Sequence, residues 1–223
     1  MVYVGIDISV NSTAVSVYDK DYKFYNYTTK KSNYVWIKKT SDIIDYRFFT
    51  FGYKEIDDFS DKLVSKVKDY DSYSDLIIND IKSHGDKFVI GIEGYNYGLK
   101  TTDSIIDISE LSSIIKMKLV KNFPDSHIII MPPKTVKIKS CKMVYKLLDG
   151  QKVVRNDKGV AGGSFDKHDM MTALIDSNIE NKVKDFLIEN KDTILNMKSI
   201  PKPWDDIIDA QFIMEIIKMD FDL

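Results

Sequence analysis

The chain has little with which to cross-link itself or hold a soft metal. Cys141 is its only cysteine, so an intrachain disulfide and a cysteine-based zinc site are both excluded. Three scattered histidines, His84, His127 and His168, give no expectation of a histidine metal cluster. Any metal must therefore be held mainly by oxygen. No apolar run approaches the roughly 20 residues needed to span a bilayer, and the opening Met1 to Asp7 lacks the charged, then apolar profile of a signal peptide. The expectation is a cytoplasmic protein without a membrane partner, from a phage, a virus or a bacterium. Positive charge is not in excess either: the formal net charge is −2, which gives no global reason to expect nucleic acid. The glycine-rich stretch Gly159 to Gly163 fits neither the P-loop nor the dinucleotide fingerprint, so no nucleotide cofactor is expected.

What is present is apolar mass and a local concentration of charge. With 223 residues, 43% of them hydrophobic, the chain can bury one substantial core, and we expect a single domain spanning 1–223. From Pro132 to Lys158 eight basic residues face only Asp149 and Asp157, a local charge of +6. Within and just beyond that stretch, Lys134, Lys137, Lys139, Lys152, Arg155, Lys158 and Lys167 are candidate phosphate contacts. The competing reading is a set of solvated lysines.

Val2 to Ile8 and Thr13 to Tyr18 read as the first two strands of a meander. Lys23 to Thr28 and Tyr34 to Lys38 alternate less cleanly, and Tyr46 to Tyr53 fits a further strand or hairpin. From Lys54 to Ser83 apolar residues recur at helical spacing with a polar interruption near Asp71, which predicts one broken helix or two. Phe88 to Ile92 is a buried strand, Thr101 to Lys121 a helix, and Ile128 to Met131 a strand stopped by Pro132-Pro133. Met143 to Leu148 and Gln151 to Arg155 flank Asp149-Gly150, a hairpin signal. A helix begins near Phe165, helical pattern continues to Leu195, and Asp205 to Met219 closes the chain as an amphipathic helix after a proline break. Strands first, then strands alternating with helices, predict an α/β fold: a mixed β-sheet flanked by helices.

Asp7 and Glu93 each end an apolar strand, where a carboxylate is costly to bury unless it is paired or bound to a cation. Asp206 and Asp209 lie three apart at the start of the last helix and share a face. For Asp205 and Asp206 the rival explanation is capping of a helix N-terminus, a role that fits Asp205 best. Asp209 lies too far in to cap. Four carboxylates from three elements are the candidate catalytic and metal-binding set, suited to two Mg2+ or Mn2+ ions clamping an in-line phosphodiester displacement.

These residues resemble the RuvC family of Holliday-junction resolvases, within the ribonuclease H-like superfamily. The resemblance rests on Val4-Gly5-Ile6-Asp7, on Ile92-Glu93 leading into a helix, on Gly162 to Lys167 with Met170-Met171, and on Asp206-Ile207-Ile208-Asp209-Ala210. It implies a ribonuclease H-like fold, with the stretches near 30–82 and 143–158 as insertions. It also implies a metal-dependent endonuclease acting on branched DNA as a homodimer, with Lys167 on a helix close to the DNA. Tyr95 and Tyr97 are the available counterparts of the family's wedge aromatic, although neither has the usual offset from Glu93. The family's basic residue near the last acid pair has no evident counterpart, since the neighbours are Trp204 and Asp205. The helix Thr101 to Lys121, with Ile114, Ile115 and Met117, could supply a dimer surface. Other readings keep the nuclease and change its task to cutting a flap, an RNA–DNA hybrid or DNA during packaging, or drop catalysis for a nucleic-acid-binding module. An actin-like ATPase ranks last, for want of a second phosphate loop.

Overall fold

The structure, a computed structural model, describes residues 1–29, 34–94, 102–145 and 165–222. Its centre is a six-stranded sheet of order β4-β3-β2-β1-β5-β6. The strands are β1 (Val2–Asp7), β2 (Ser12–Tyr18), β3 (Tyr22–Thr28), β4 (Asp45–Phe48), β5 (Phe88–Glu93) and β6 (His127–Met131). The meander β1-β2-β3 is antiparallel, whereas β5 runs parallel to β1, β6 to β5 and β4 to β3. This is the mixed α/β sheet expected from the sequence.

Strand alternation divides the core in two. Val2, Val4 and Ile6 of β1, Val15 and Val17 of β2, and Phe88, Ile90 and Ile92 of β5 pack against α2 (Phe59–Lys82) and α3 (Thr102–Asn122). Tyr3, Ala14, Phe24 and Val89 belong to a second core on the opposite face. That face carries α4 (Pro133–Val144), α5 (Lys167–Asp176), α6 (Lys182–Glu189), α7 (Lys191–Leu195) and the closing α8 (Trp204–Phe221). Helix α8 is buried all round: from Trp204 to Ile217 only Asp205 is not. Such a helix is held by tertiary contacts and not by an amphipathic stripe. Gly5 lets it lie directly on β1, since a Cβ there would sit 2.0 Å from the Ala210 carbonyl oxygen.

Five expectations need correction, the first being the amphipathic character of α8, which is buried all round. Residues of Tyr34 to Lys38 do not extend the sheet but form α1 (Tyr34–Thr40). Trp36 and Thr40, one turn apart, share a face there: Thr40 is fully buried and Trp36 packs edge-on against Phe186 and Trp204. The region Tyr46 to Tyr53 is strand only to Phe48, with a 3-10 turn at Gly52–Glu55. Helix α2 passes through Asp71 without a break, because Tyr70 and Tyr73 continue its buried face and the Tyr73 hydroxyl donates to the Tyr27 carbonyl at 2.8 Å. Lys66 and Lys118 tie α2 to α3, each through two carboxylates.

Met143 and Val144, expected in a hairpin strand, instead end α4. Pro133 opens that helix, where its missing N–H costs nothing, and Val136, Ser140 and Cys141 form its buried face. Tyr145 follows as its C-cap, and residues 146–155 of the expected hairpin lie outside the described residues. The helix expected near Phe165 starts at Lys167, capped by Asp166, whose side chain accepts from the N–H groups of His168 and Asp169. Among the described residues no helix is long and apolar enough to cross a membrane.

Candidate active site

Asp7 and Glu93 are the last residues of two neighbouring parallel strands. The register pairs Ile6 with Ile92, so the two acids that follow end their strands side by side. Both have the parity of Gly5 and Gly91, the residues that face α8. Asp209 projects from α8 toward the same point, and one oxygen from each of Asp7, Glu93 and Asp209 lies within 4.8 Å of the other two. Asp7 and Asp209 are buried and Glu93 is half-buried. The three line a cleft of about 250 Å³, together with Lys137, Lys167, Lys202, Asp205 and Asp206.

Asp206 stands apart from that convergence. Only 3% exposed, it gives Oδ1 to the ammonium group of Lys202, while its Oδ2 is buried without a hydrogen-bond partner. Lys202 also reaches Asp205 Oδ2 at 3.1 Å. Asp205 caps from inside the first turn and not from the N-cap position. Pro203 occupies the N-cap and makes no side-chain cap bond, and Asp205 Oδ1 accepts from the Asp206 N–H at 3.0 Å. Lys202 went unnoticed in the sequence because it sits among the prolines of a helix break. The readable signal was its spacing, four residues before Asp206.

Lys167, at the start of α5, pairs with Asp209. Three ammonium groups, those of Lys137, Lys167 and Lys202, stand among the five carboxylates of the cleft. Burial, and then the neighbouring charge of Glu93, push the Asp7 carboxyl up to about 7 against the pull of Lys167 and Lys202. Burial likewise pushes Asp206 up to about 8, opposed first by Lys202, and raises Glu93. An all-carboxylate set of this kind, too crowded to ionise freely, suits a hard divalent cation.

No protein-family model matches the sequence, and no curated protein matches it. Among solved structures, the yeast mitochondrial Holliday junction resolvase Ydc2 aligns with 96% of this chain and 75% of its own, at TM-score 0.51 and 13% identity. Thermus thermophilus RuvC in complex with a Holliday junction substrate aligns over 97% and 92%, at TM-score 0.46 and 10% identity. The chain shares the fold of the yeast enzyme.

Within this fold the other sequence candidates are dispersed. Lys137 of α4 lines the acidic cleft, and Lys134 is exposed on the first turn of the same helix. Lys139 is engaged elsewhere, 2.5 Å from Asp220 near the far end of α8. Tyr95, Tyr97, Lys152, Arg155 and Lys158 lie outside the described residues. His168, weighed as a phosphate or water contact, has its Nε2 3.2 Å from the Met197 carbonyl oxygen. On α3, Ile115 is buried and thus removed from any dimer surface, whereas Met117 is 57% exposed.

The raised carboxyls set a pH dependence. Asp7 and Asp206 titrate near 4 when unfolded and near 7 and 8 when folded, so the folded protein binds more protons in between. Their contribution to stability is full below about pH 4 and is lost as the pH rises through 7 to 8. Metal-free protein is expected to melt at lower temperature at pH 8 than at pH 5, with Mg2+ recovering part of the loss at pH 8. With each pK unit worth ~1.4 kcal/mol and each kcal/mol ~2–4 °C at this size, the fall should be on the order of 5 °C or more by scanning fluorimetry in EDTA. A flat or rising profile in EDTA contradicts the reading.

Proposed function

We propose that the chain is a divalent-metal-dependent endonuclease that cuts branched DNA, with the Holliday junction its foremost substrate. The observation that carries this reading is the convergence of Asp7, Glu93 and Asp209 at the ends of two central strands and on the helix against them. These three residues would hold Mg2+ or Mn2+, which when bound supplies Lewis-acid stabilisation of the phosphodiester and lowers the pKa of attacking water. The protein's own part is to hold three carboxylates in one geometry, to keep the cleft floor dry, and to place positive charge at its rim. Lys137 and Lys167 are suited to draw the scissile phosphate toward the acids, and Lys134 extends that surface. No side-chain nucleophile is required, and the products would carry 5′-phosphate and 3′-hydroxyl ends. A four-way junction presents two symmetric strands, so the working form we propose is a homodimer in the cytoplasm.

The test is a panel of synthetic four-way junction, flap, RNA–DNA hybrid and linear duplex, each with Mg2+ or EDTA. Cutting of the junction in Mg2+ is expected to exceed that of linear duplex by at least ~10-fold, about 1.4 kcal/mol in favour of the junction, and to vanish in EDTA. Preferential cutting of the flap or the hybrid would reassign the substrate. Junction binding with no cleavage in any metal would leave a binding module.

A further inference from the structure

We infer that Lys202 takes the place of a second divalent ion: the site works with one ion at Asp7, Glu93 and Asp209, and the Lys202 ammonium holds Asp206 out of the coordination set. This inference rests on the nuclease reading above and replaces the two-ion arrangement that the sequence suggested.

The geometry divides the carboxylates into two groups. Asp7, Glu93 and Asp209 meet at one point, and Asp206 is not among them. Asp206 instead gives Oδ1 to Lys202, whose ammonium also lies 3.1 Å from Asp205 Oδ2. A second ion bridging Asp206 and the triad would have to displace that ammonium. Lys202 has two advantages in such a contest. It is tethered four residues away on the same turn of chain, so its effective concentration is far above that of a free ion. Mg2+ also gives up its water reluctantly, and without Oδ1 it would be offered one oxygen of Asp206.

The ammonium supplies the same local charge compensation as a cation, through charge-assisted hydrogen bonds. It also leaves Asp206 Oδ2 buried, unpartnered and on the cleft wall. Lys202 thus acts as a positioning residue, through Asp206 and not on the substrate. Lys167 is not equivalent, because it pairs with Asp209, a member of the triad, and must give way when that carboxylate takes an ion.

The experiment counts ions in the full chain, free and bound to a four-way junction with non-hydrolysable linkages. Calorimetric titration with Mn2+ gives the stoichiometry, and electron paramagnetic resonance distinguishes an isolated Mn2+ from a spin-coupled pair. The wild type is expected to bind one isolated Mn2+ per chain in both states. Lys202→Met, which frees Asp206 Oδ1, is expected to bind two coupled ions, and Lys202→Arg one. Two coupled ions in the wild type overturn the inference, as does a single ion in a folded Lys202→Met protein. If Lys202→Met fails to fold, the wild-type count still decides. A wild type that binds no Mn2+ in either state would fail differently, by sinking the nuclease reading itself.

Discussion

Asp7→Asn is expected to lower metal-dependent junction cleavage by at least ~10³-fold, on the order of 4 kcal/mol of transition-state stabilisation, while raising the melting temperature of the metal-free protein. The two effects have one origin. Asp7 is 7% exposed and shares its site with Glu93 and Asp209, so in the absence of a cation it is a buried acid beside like charge. An amide of the same shape relieves that repulsion and removes the cost of ionising in a poorly solvated place. The same change discards one of three anionic oxygens that would hold the ion, and a neutral amide is a much weaker ligand for Mg2+. Cleavage assays in Mg2+, run beside melting curves in EDTA, read both quantities from one preparation. Full activity in Asp7→Asn would remove this residue from the site. Loss of activity together with a fall in metal-free stability would mean that Asp7 is structural.

Gly5→Ala is expected to be as damaging to folding as Asp7→Asn is to activity. A Cβ on Gly5 would lie 2.0 Å from the Ala210 carbonyl oxygen, 2.5 Å from the Met214 nitrogen and 2.8 Å from Met214 Cβ. Two of these are backbone atoms of α8, so no rotamer change relieves the clash and the helix must lift from the sheet. Overpacking that forces backbone movement in a core ranks among the largest single-residue effects, at about 4 kcal/mol or more. A loss of that size should shift the melting temperature by roughly 8–16 °C at this chain length or leave the protein insoluble. Gly52 provides the control: the nearest atom to its Cβ is Asp69 Oδ2, at 3.8 Å, and Gly52→Ala should change stability by less than about 1 kcal/mol. Equal behaviour of the two variants would refute the packing argument. Because Asp209 rides on the same helix, a folded remnant of Gly5→Ala should also bind Mn2+ weakly.

The contrast between legible and illegible elements has a physical basis. Strands β1 and β5 could be read because each is a continuous apolar run, and the acids that end them stood out against that background. Helix α3 was equally plain from a long periodic pattern, and the start of α8 from the proline break before it. Helix α1 was missed because it is two turns long, too short for Trp36 and Thr40 to establish a period against alternating neighbours. Helix α4 was missed because lysines separate the few residues that it buries, and because Pro132-Pro133 signalled a stop without showing that Pro133 also starts a helix. The interruption foreseen near Asp71 failed because Tyr70 and Tyr73 count as polar in composition yet pack as apolar bodies whose hydroxyls find partners. In the site, the separation of Asp206 from the other acids depends on where the side chain of Lys202 goes. The i,i+4 spacing allows that pairing, but only the course of the chain through the prolines brings it about.

The burial of Cys141 bears on how the protein can be handled in the laboratory. The chain's one thiol is 1% exposed, on the inner side of α4, and a shielded thiol reacts poorly with maleimides. A single cysteine introduced at Met117 or Val120, both exposed on α3, would therefore accept a fluorophore or spin label in near-isolation without prior removal of the native residue. Helix α3 itself contributes Ile108 and Ser112 to the carboxylate cleft, and a probe further along it would report on assembly or DNA engagement without replacing a residue of the cleft.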